Sequence, residues 1–222
     1  MEDCRIVEYD PKRHLEGCAE ALASGFHHNH WPLWDRASPR LAKDVVRMAA
    51  APSNLCLVVE DASGRARGQI FCSAPMTRMR LLGLGSAVLK VLGITGTGLY
   101  FMRPVAWRHF FALRGYLPLL LQHPINNPHF EVTLFVCHQE LQGKGWGSRL
   151  MHEAVMRMHE KGADEVVLIT DSTMAWEFYE HYGYQRTVDV PLGPTYTVAM
   201  DSDTERGYIY ALDVPKKIAQ LA

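Results

Sequence analysis

The stretch that decides the fold is Gln142-Gly143-Lys144-Gly145-Trp146-Gly147-Ser148-Arg149. It follows an apolar run at Glu131–Cys137 that is typical of a strand, and it leads into a segment from about 145 to 161 with apolar residues at helical spacing. Glycines in such a turn let backbone N–H groups approach an anion, and the start of a helix adds the positive end of its dipole. Lys144 and Arg149 add positive charge. The stretch therefore predicts a backbone cradle for a pyrophosphate group.

The spacing of the glycines excludes two common phosphate-binding loops. A Walker loop needs Ser or Thr directly after Gly-Lys, but Gly145 follows Lys144. A dinucleotide-binding G-x-G-x-x-G that starts at Gly143 would need a third glycine where Ser148 stands. Three glycines alone are equally compatible with a turn that binds no ligand. The elements around the stretch therefore have to distinguish the two interpretations.

Those elements predict a mixed sheet with helices on both faces. Strand-like and helix-like segments alternate along most of the chain. The predicted strands are Arg5–Tyr9, Leu55–Glu60, Gly68–Cys72, Glu131–Cys137, Val166–Thr170, Tyr184–Val190, Tyr196–Met200 and Tyr208–Asp213, and the helices outside the cradle are Arg13–Ala23 and Thr173–Tyr182. This order indicates a fold of the α/β or α+β class.

A further helix is predicted from its start signals. Ser38 is a good N-cap and Pro39 suits the first helical position. Leu41, Val45 and Met48 follow at helical spacing and are expected to form the buried face.

Composition limits the class of protein. The chain has 222 residues, of which 48% are apolar and 21% charged, so it is long and apolar enough to bury a core. A formal net charge of -1 provides no basic field for nucleic acid, so no nucleic-acid partner is expected. The five cysteines are scattered and odd in number, which favours a reducing compartment over a disulfide framework.

No membrane segment is expected either. Glu2, Asp3 and Arg5 open the chain where a signal peptide would need an apolar run. Leu81–Met102 carries a single charge, but five glycines interrupt it, which is unfavourable for a membrane helix. The sequence therefore predicts a soluble, cytoplasmic protein without a membrane partner.

The combined pattern resembles the GNAT superfamily of acyl-CoA N-acyltransferases. Gln142-x-x-Gly145-x-Gly147 after an apolar strand is similar to that family's acyl-CoA-binding motif. About 30 residues downstream, Ser172-x-x-Ala175-x-x-Phe178-Tyr179-x-x-x-Gly183-Tyr184 is similar to its Asn-x-x-Ala-x-x-Phe-Tyr-x-x-x-Gly-Phe signature, with Ser172 in place of the usual Asn. The resemblance implies one domain over residues 1–222, a mostly antiparallel sheet flanked by helices on both faces, and a helical, aromatic-rich insertion at about 76–128 before the cofactor-binding strand.

The same resemblance implies acetyl-CoA as co-substrate and no metal. The acetyl-CoA would lie in a V-shaped opening between the strands Glu131–Cys137 and Val166–Thr170. Backbone groups of Val136, Cys137 and His138 would pair with the pantetheine arm. The pyrophosphate would lie against Gln142, Gly143, Lys144, Gly145, Trp146, Gly147 and Ser148, and a side chain added at Gly145 or Gly147 would occupy its place. Ser172, Ala175 and Phe178 complete the implied cofactor site.

Two catalytic residues are implied, each with an alternative. Tyr179 matches the family's general acid for the departing thiolate, although an aromatic residue beside Phe178 could also serve packing alone. Glu131 lies eleven residues before Gln142, the offset of a catalytic glutamate in one branch of the family. It could instead be a solvated strand-end residue, with water or His129 as the base.

Side-chain alternation gives a further expectation for the strand. It predicts Glu131 on the same face as Thr133, Phe135 and Cys137, provided that no β-bulge intervenes. Cys137 is expected to be a packed strand residue, since direct acyl transfer needs no nucleophilic thiol.

The acceptor is expected to be the primary amine of a small molecule. The insertion at about 76–128 predicts an aromatic wall or lid that would narrow a peptide groove; the alternative role for it is a homodimer contact. A protein or peptide acceptor, and a CoA-binding sensor without turnover, are the competing hypotheses.

His27, His28 and His30 stand close together in the sequence, but adjacent histidines point apart on most backbones. A loop that contacts the acceptor is therefore favoured over a metal site.

Overall fold

The described part of the chain forms one seven-stranded sheet. The computed structural model describes residues 4–25, 39–74, 115, 117–122, 129–193 and 205–221. The strands are β1 (Arg5–Glu8), β2 (Leu55–Glu60), β3 (Ala66–Ser73), β4 (Phe130–Cys137), β5 (Glu165–Asp171), β6 (Gln185–Pro191) and β7 (Arg206–Asp213). Their spatial order is β1-β2-β3-β4-β5-β7-β6, and only the β4–β5 pair is parallel. The predicted mixed, mostly antiparallel sheet is confirmed.

Helices cover both faces of this sheet. The α-helices are α1 (Pro11–Gly25), α2 (Pro39–Ala50), α3 (Leu117–Leu120), α4 (Trp146–Glu160), α5 (Trp176–Tyr182) and α6 (Val214–Leu221). Successive β3 residues Ile70 and Phe71 pack into different apolar clusters, because side chains alternate across a strand. Ile70 packs with α4 residues, and Phe71 packs with α1 and α2 residues. The α4–α5 face and the α1–α2 face are therefore opposite sides of the sheet.

The helices differ from the predictions in detail. Helix α2 buries Ala42 and Val46, whereas Met48 on the predicted face is 38% exposed. The helix after β5 begins at Trp176, three residues later than predicted, because the Asp171 carboxylate accepts the Thr173 N–H (2.8 Å) and holds a turn there. Helix α6 was not predicted.

A β-bulge interrupts β4 at Thr133. Phe71 of β3 lies opposite Leu134 and Cys72 lies opposite Val132, which leaves Thr133 as the extra residue. The Thr133 hydroxyl lies 3.0 Å from the Phe71 carbonyl oxygen and 3.0 Å from the Ser53 hydroxyl at the end of α2. These contacts fix the bulge to the α1–α2 face.

The bulge changes which face Glu131 occupies. Val132 packs on the α4–α5 face before the bulge, and Phe135 and Cys137 pack there after it. Glu131 alternates with Val132 and therefore faces the α1–α2 side, opposite Phe135 and Cys137. The expected shared face was wrong, since it assumed an uninterrupted alternation.

The bulge also coincides with the separation of β4 from β5. The two strands pair at Phe130–Val166, Glu131–Val167 and Val132–Leu168. Beyond that level β4 continues along β3 and β5 continues along β7. The pairing of these two strands therefore ends at Val132–Leu168, and the predicted V-shaped opening would begin beyond that level.

The glycine that ends α1 brings this helix directly onto β4. A Cβ on Gly25 would lie 2.3 Å from the Val136 Cγ2 and 2.8 Å from the Cys137 carbonyl oxygen, so only glycine permits this approach. The Ser24 hydroxyl accepts the N–H of Gln139, at the beginning of the turn after β4 (3.2 Å). The end of α1 therefore adjoins the start of the predicted cradle.

Several predictions lie outside the described residues. These are His27, His28 and His30, the strand at 196–200, the apolar stretch at 81–102 and most of the insertion at 76–128. Within the described ranges, no helix is long and apolar enough to cross a membrane, and no group of three or more potential metal ligands is found. Of the insertion, helix α3 places Leu119 in a small buried cluster with Leu192 and Ile209.

Candidate active site

The turn between β4 and α4 forms an open backbone cradle. A short 3-10 helix, Gln139–Leu141, leads from β4 into the turn. Gly143 and Gly145 have φ angles of +71° and +78°, in a backbone region that residues other than glycine rarely adopt. A Cβ built on either residue meets no heavy atom within 4 Å. The side of the turn toward which these two Cβ positions point is therefore open.

Helix α4 begins directly after this turn, with first N–H groups that are unpaired within the helix. Gly145 is the N-cap residue and provides no side-chain cap. The first N–H that bonds back into the helix is that of Arg149, to the Gly145 carbonyl (3.1 Å). The N–H groups of Trp146, Gly147 and Ser148 precede it and have no partner within the helix, as at any helix start. Together with the helix dipole they form a site for negative charge.

The side chains around the cradle add to this arrangement. Lys144, Ser148 and Arg149 are exposed. The Arg149 guanidinium lies 5.0 Å from the centre of the Trp146 ring, which holds the cation beside the start of the helix. Positive charge at the cradle therefore comes from both backbone and side chains.

Gly147 has a different role from Gly145. A Cβ on Gly147 would lie 3.5 Å from the Phe135 ring, 3.7 Å from the Phe178 ring and 4.0 Å from the Cys137 sulfur, all ordinary contacts. It would face the sheet, away from the open side of the cradle. That a side chain here would occupy the place of a pyrophosphate stays a prediction, and the geometry favours the alternative that it would pack against Phe135 and Phe178. The Gly147 N–H still belongs to the group at the helix start.

On β4, the backbone of alternate residues faces the opening. The His138 N–H donates to the Arg67 carbonyl of β3 (2.8 Å). In an antiparallel pair such groups alternate, so the backbone groups of Val136 and His138 point toward β3, while those of Phe135 and Cys137 point away from it. Of the three residues predicted to pair with the pantetheine arm, Cys137 therefore has backbone groups that point away from β3, whereas those of Val136 and His138 point toward it; the pairing with the arm stays a prediction. The backbone groups of Phe135 lie on the same side as those of Cys137.

Gln142 and Cys137 are linked by a side-chain contact. The Gln142 side-chain amide donates to the Cys137 carbonyl oxygen (3.3 Å), which ties the turn back to the strand. The pKa of the Cys137 thiol is raised to about 12 by burial, so the thiol is protonated at neutral pH. This agrees with a packing role for the Cys137 side chain.

The second predicted motif places its small residues away from β4. The Ser172 hydroxyl donates to the Glu205 carboxylate and accepts the Arg206 N–H (3.0 Å). Both contacts tie it to the beginning of β7. Ala175 is exposed at the N-cap of α5. The Ser172 side chain thus serves the β5–β7 junction, and its predicted contact with the cofactor stays a prediction.

Tyr179 lies in an aromatic cluster beside the opening. Its ring centre is 5.6 Å from that of Phe178, 6.4 Å from that of Phe135 and 5.9 Å from that of Tyr210. Burial, with smaller contributions from Asp171 and Cys137, raises the pKa of the Tyr179 phenol well above its usual range. The phenol therefore keeps its proton throughout the physiological pH range and can act as a hydrogen-bond or proton donor.

Glu131 lies on the opposite face from Tyr179. It is partly exposed at the level where β4 and β5 still pair, opposite Ser73 on one side and Val167 on the other. The His129 Nε2 lies 3.4 Å from the Glu165 Oε1, at the beginning of the same two strands. An acidic group and a phenol therefore lie on opposite faces of the sheet, with Glu131 in the part where β4 and β5 still pair.

The comparison with known families identifies the region that contains these features. A family model described as an acetyltransferase (GNAT) domain matches residues 120–192, from α3 through β4, the cradle, α4, β5 and α5 to β6. No curated protein sequence matches the chain.

Solved structures share the fold at low sequence identity. A protein assigned to the GNAT family of acetyltransferases from Desulfovibrio desulfuricans has a TM-score of 0.55 at 11% identity, covering 95% of this chain and 99% of that one. A GNAT-family acetyltransferase from Staphylococcus aureus has a TM-score of 0.52 at 12% identity, with 94% and 99% covered. A protein assigned as a phosphinothricin N-acetyltransferase has a TM-score of 0.57 at 14% identity, with 96% and 99% covered. These likenesses extend over nearly the whole of each chain.

Proposed function

We propose that the chain, whose residues 120–192 match a GNAT acetyltransferase domain model, transfers the acetyl group of acetyl-CoA directly to the primary amine of a small molecule. One observation supports the proposal more than any other. The cradle at the start of α4 follows β4, which stops pairing with β5 at Val132–Leu168, and the Tyr179 ring lies 6.4 Å from the ring of Phe135 beyond that level.

The described residues fit the acetyl-CoA that this activity needs. Positive φ angles at Gly143 and Gly145 leave open space in front of the N–H groups at the start of α4, where a pyrophosphate would accept hydrogen bonds. The backbone groups of Phe135 and Cys137 face the gap, where an amide-bearing pantetheine arm would pair with β4 much as a strand would. The thioester would then lie near the apex of the V.

The two catalytic roles follow from the chemistry of amide formation. The amine attacks only in its neutral form, so a base must take its proton, and Glu131 on the α1–α2 face is the proposed base, directly or through water. The departing thiolate is stabilised by a donor, and Tyr179 on the α4–α5 face is the proposed acid. N–H groups of β4 that point away from β3 would stabilise negative charge on the thioester oxygen.

A small amine is the proposed acceptor class. One neighbour in fold is assigned as a phosphinothricin N-acetyltransferase, whose acceptor is a small molecule. The aromatic content of residues 76–128 supports the same choice, since a wall of rings would narrow a groove for a peptide. All five cysteines are free, which supports a reducing, cytoplasmic setting for the reaction.

The proposal is tested by following thiol release from acetyl-CoA against a panel of small amines and lysine-containing peptides. We expect release that depends on one class of small amine and that falls sharply in Tyr179→Phe. Thiol release that depends on a peptide and on none of the small amines would overturn the small-molecule acceptor and favour a peptide acceptor. Tight acetyl-CoA binding without amine-dependent release would favour the sensor hypothesis and overturn the enzymatic one.

A further inference from the structure

A closed hydrogen-bonded triangle lies on the outer side of α5. The Arg186 Nη2 of β6 is 2.6 Å from the Glu180 Oε1, and its Nε donates to the Tyr210 hydroxyl (3.0 Å). The Tyr210 hydroxyl in turn donates to the same Glu180 oxygen (2.9 Å). The guanidinium, the phenol and the carboxylate therefore satisfy one another.

Arg186 also holds the first turn of α5. Its guanidinium lies 4.9 Å from the centre of the Trp176 ring, and Trp176 is the first residue of the helix. It lies 4.1 Å from the centre of the Tyr208 ring on β7. Arg186 of β6 thus contacts α5 at two places, Trp176 and Glu180, and holds the helix beside β7.

This arrangement acts on the residue next to Glu180, which is Tyr179. The Tyr210 side chain is fully buried, and its ring lies 5.9 Å from that of Tyr179 while its hydroxyl bonds to Glu180. Helix α5 has only seven residues, too few to hold its orientation without external contacts. The direction of the Tyr179 phenol therefore depends on what anchors α5.

We propose that Arg186, through Glu180 and Tyr210, is a positioning residue that fixes the Tyr179 phenol relative to the opening between β4 and β5. This rests on the proposed role of Tyr179 as general acid. Among the described residues, the hydrogen bonds and ring contacts of Arg186 are with α5, β6 and β7 and not with β4 or the cradle, so its effect on the site passes through Glu180 of α5 and Tyr210 of β7.

The test is a double-mutant cycle on turnover with the best amine of the panel. Arg186→Met keeps the bulk of the side chain and removes its charge and its donors. We expect kcat to fall roughly tenfold to a hundredfold in the wild-type background, with acetyl-CoA Kd within about twofold, and to show no further fall in a Tyr179→Phe background. Arg186→Lys should recover only part of kcat, since an ammonium cannot contact Glu180 and Tyr210 in the same fork.

Arg157→Met is the matched control. Arg157 is 31% exposed against 26% for Arg186, and it also pairs with two carboxylates, Glu153 and Glu8. It lies near the end of α4 that is distant from the cradle, and kcat should be unchanged. An equal, additive loss from Arg186→Met in both backgrounds would overturn the proposal in favour of general destabilisation. If Tyr179→Phe alone leaves kcat intact, the acid role itself fails.

A second measurement does not depend on the acceptor. In protein labelled with 13C-tyrosine, the Tyr179 signal is identified by its loss in Tyr179→Phe. We expect that signal to shift in Arg186→Met and to stay in place in Arg157→Met. An unmoved Tyr179 signal in folded Arg186→Met would overturn the positioning role.

Discussion

The two arms of the opening are built on different principles. The β4–α4 arm presents backbone groups: the N–H groups at the start of α4 and the alternate peptide groups of β4. The β5–α5 arm presents side chains, with Tyr179 in a cluster of rings that Arg186 anchors from outside. The geometry of the first arm depends on the backbone conformations that glycine allows. The geometry of the second arm depends on which side chains are present. Substitutions should therefore affect binding on one arm and chemistry on the other.

Tyr179→Phe is the strongest test of this division. It keeps the ring contacts and removes only the hydroxyl, so the packing of α5 is preserved. We expect kcat to fall roughly 10²- to 10⁴-fold with little change in acetyl-CoA Kd, measured by steady-state kinetics and calorimetry. A variant that keeps more than half of its kcat would reduce Tyr179 to a packing residue.

The pH dependence of the wild type provides a related check. Because the pKa of Tyr179 is raised above its ordinary value of 10.0, the acid remains protonated as the pH rises. With an amine that is already neutral, kcat should stay level from about pH 8 to pH 10. A decline in that interval that disappears in Tyr179→Phe would contradict the raised pKa.

Glu131→Gln tests the face opposite Tyr179. The change is near-isosteric and removes the proton acceptor, so kcat/KM should fall most at low pH, where protonated amine dominates. We expect a loss of roughly 10²-fold near neutral pH that narrows as the pH rises. The measurement is a pH–rate profile of both proteins with one acceptor. Parallel profiles with equal rates would leave water or His129 as the proton acceptor.

Two glycine substitutions compare positions within the backbone arm. Gly145→Val forces a branched side chain into the left-handed region and into the open side of the cradle, and acetyl-CoA affinity should drop at least about tenfold, or roughly 1.4 kcal/mol. Gly147→Ala adds a Cβ that makes only ordinary contacts beneath the cradle and should change affinity less than about twofold. Calorimetry measures the acetyl-CoA affinity of both variants. Equal losses would mean that Gly147 also faces the anion.

The smallest expected effect concerns the support beneath the backbone arm. Gln69 of β3, opposite Val136, is fully buried, and neither its amide nitrogen nor its amide oxygen has a hydrogen-bond partner among the described residues. Replacement by Met removes an unsatisfied polar group at similar volume and should raise the free energy of unfolding by about 1–2 kcal/mol, with kcat unchanged. Urea denaturation measures the first quantity. A loss of stability would show that the amide has a partner in solution.

The sequence was a good guide where the determinants are local. Glycine at positions 143 and 145 and the apolar period of α4 are sufficient to predict the cradle and its helix. The bulge at Thr133 could not be predicted, because it depends on Phe71 and Ser53, which are distant in the chain. The same holds for Ser172, whose hydroxyl is engaged by Glu205 from the beginning of β7.

The short parallel contact between β4 and β5 has a consequence for the cooperativity of the whole protein. These strands share three residue pairs, whereas β5 and β7 share seven. The boundary between β4 and β5 is therefore a weakly paired seam that divides the sheet into two parts. Partial unfolding is expected to begin at this seam. A ligand bound in the gap would bridge the seam and supply the cross-strand bonds that the chain lacks. Slower hydrogen exchange in β4 and β5 on both sides of the gap, together with a higher unfolding temperature, would be the sign of that bridging.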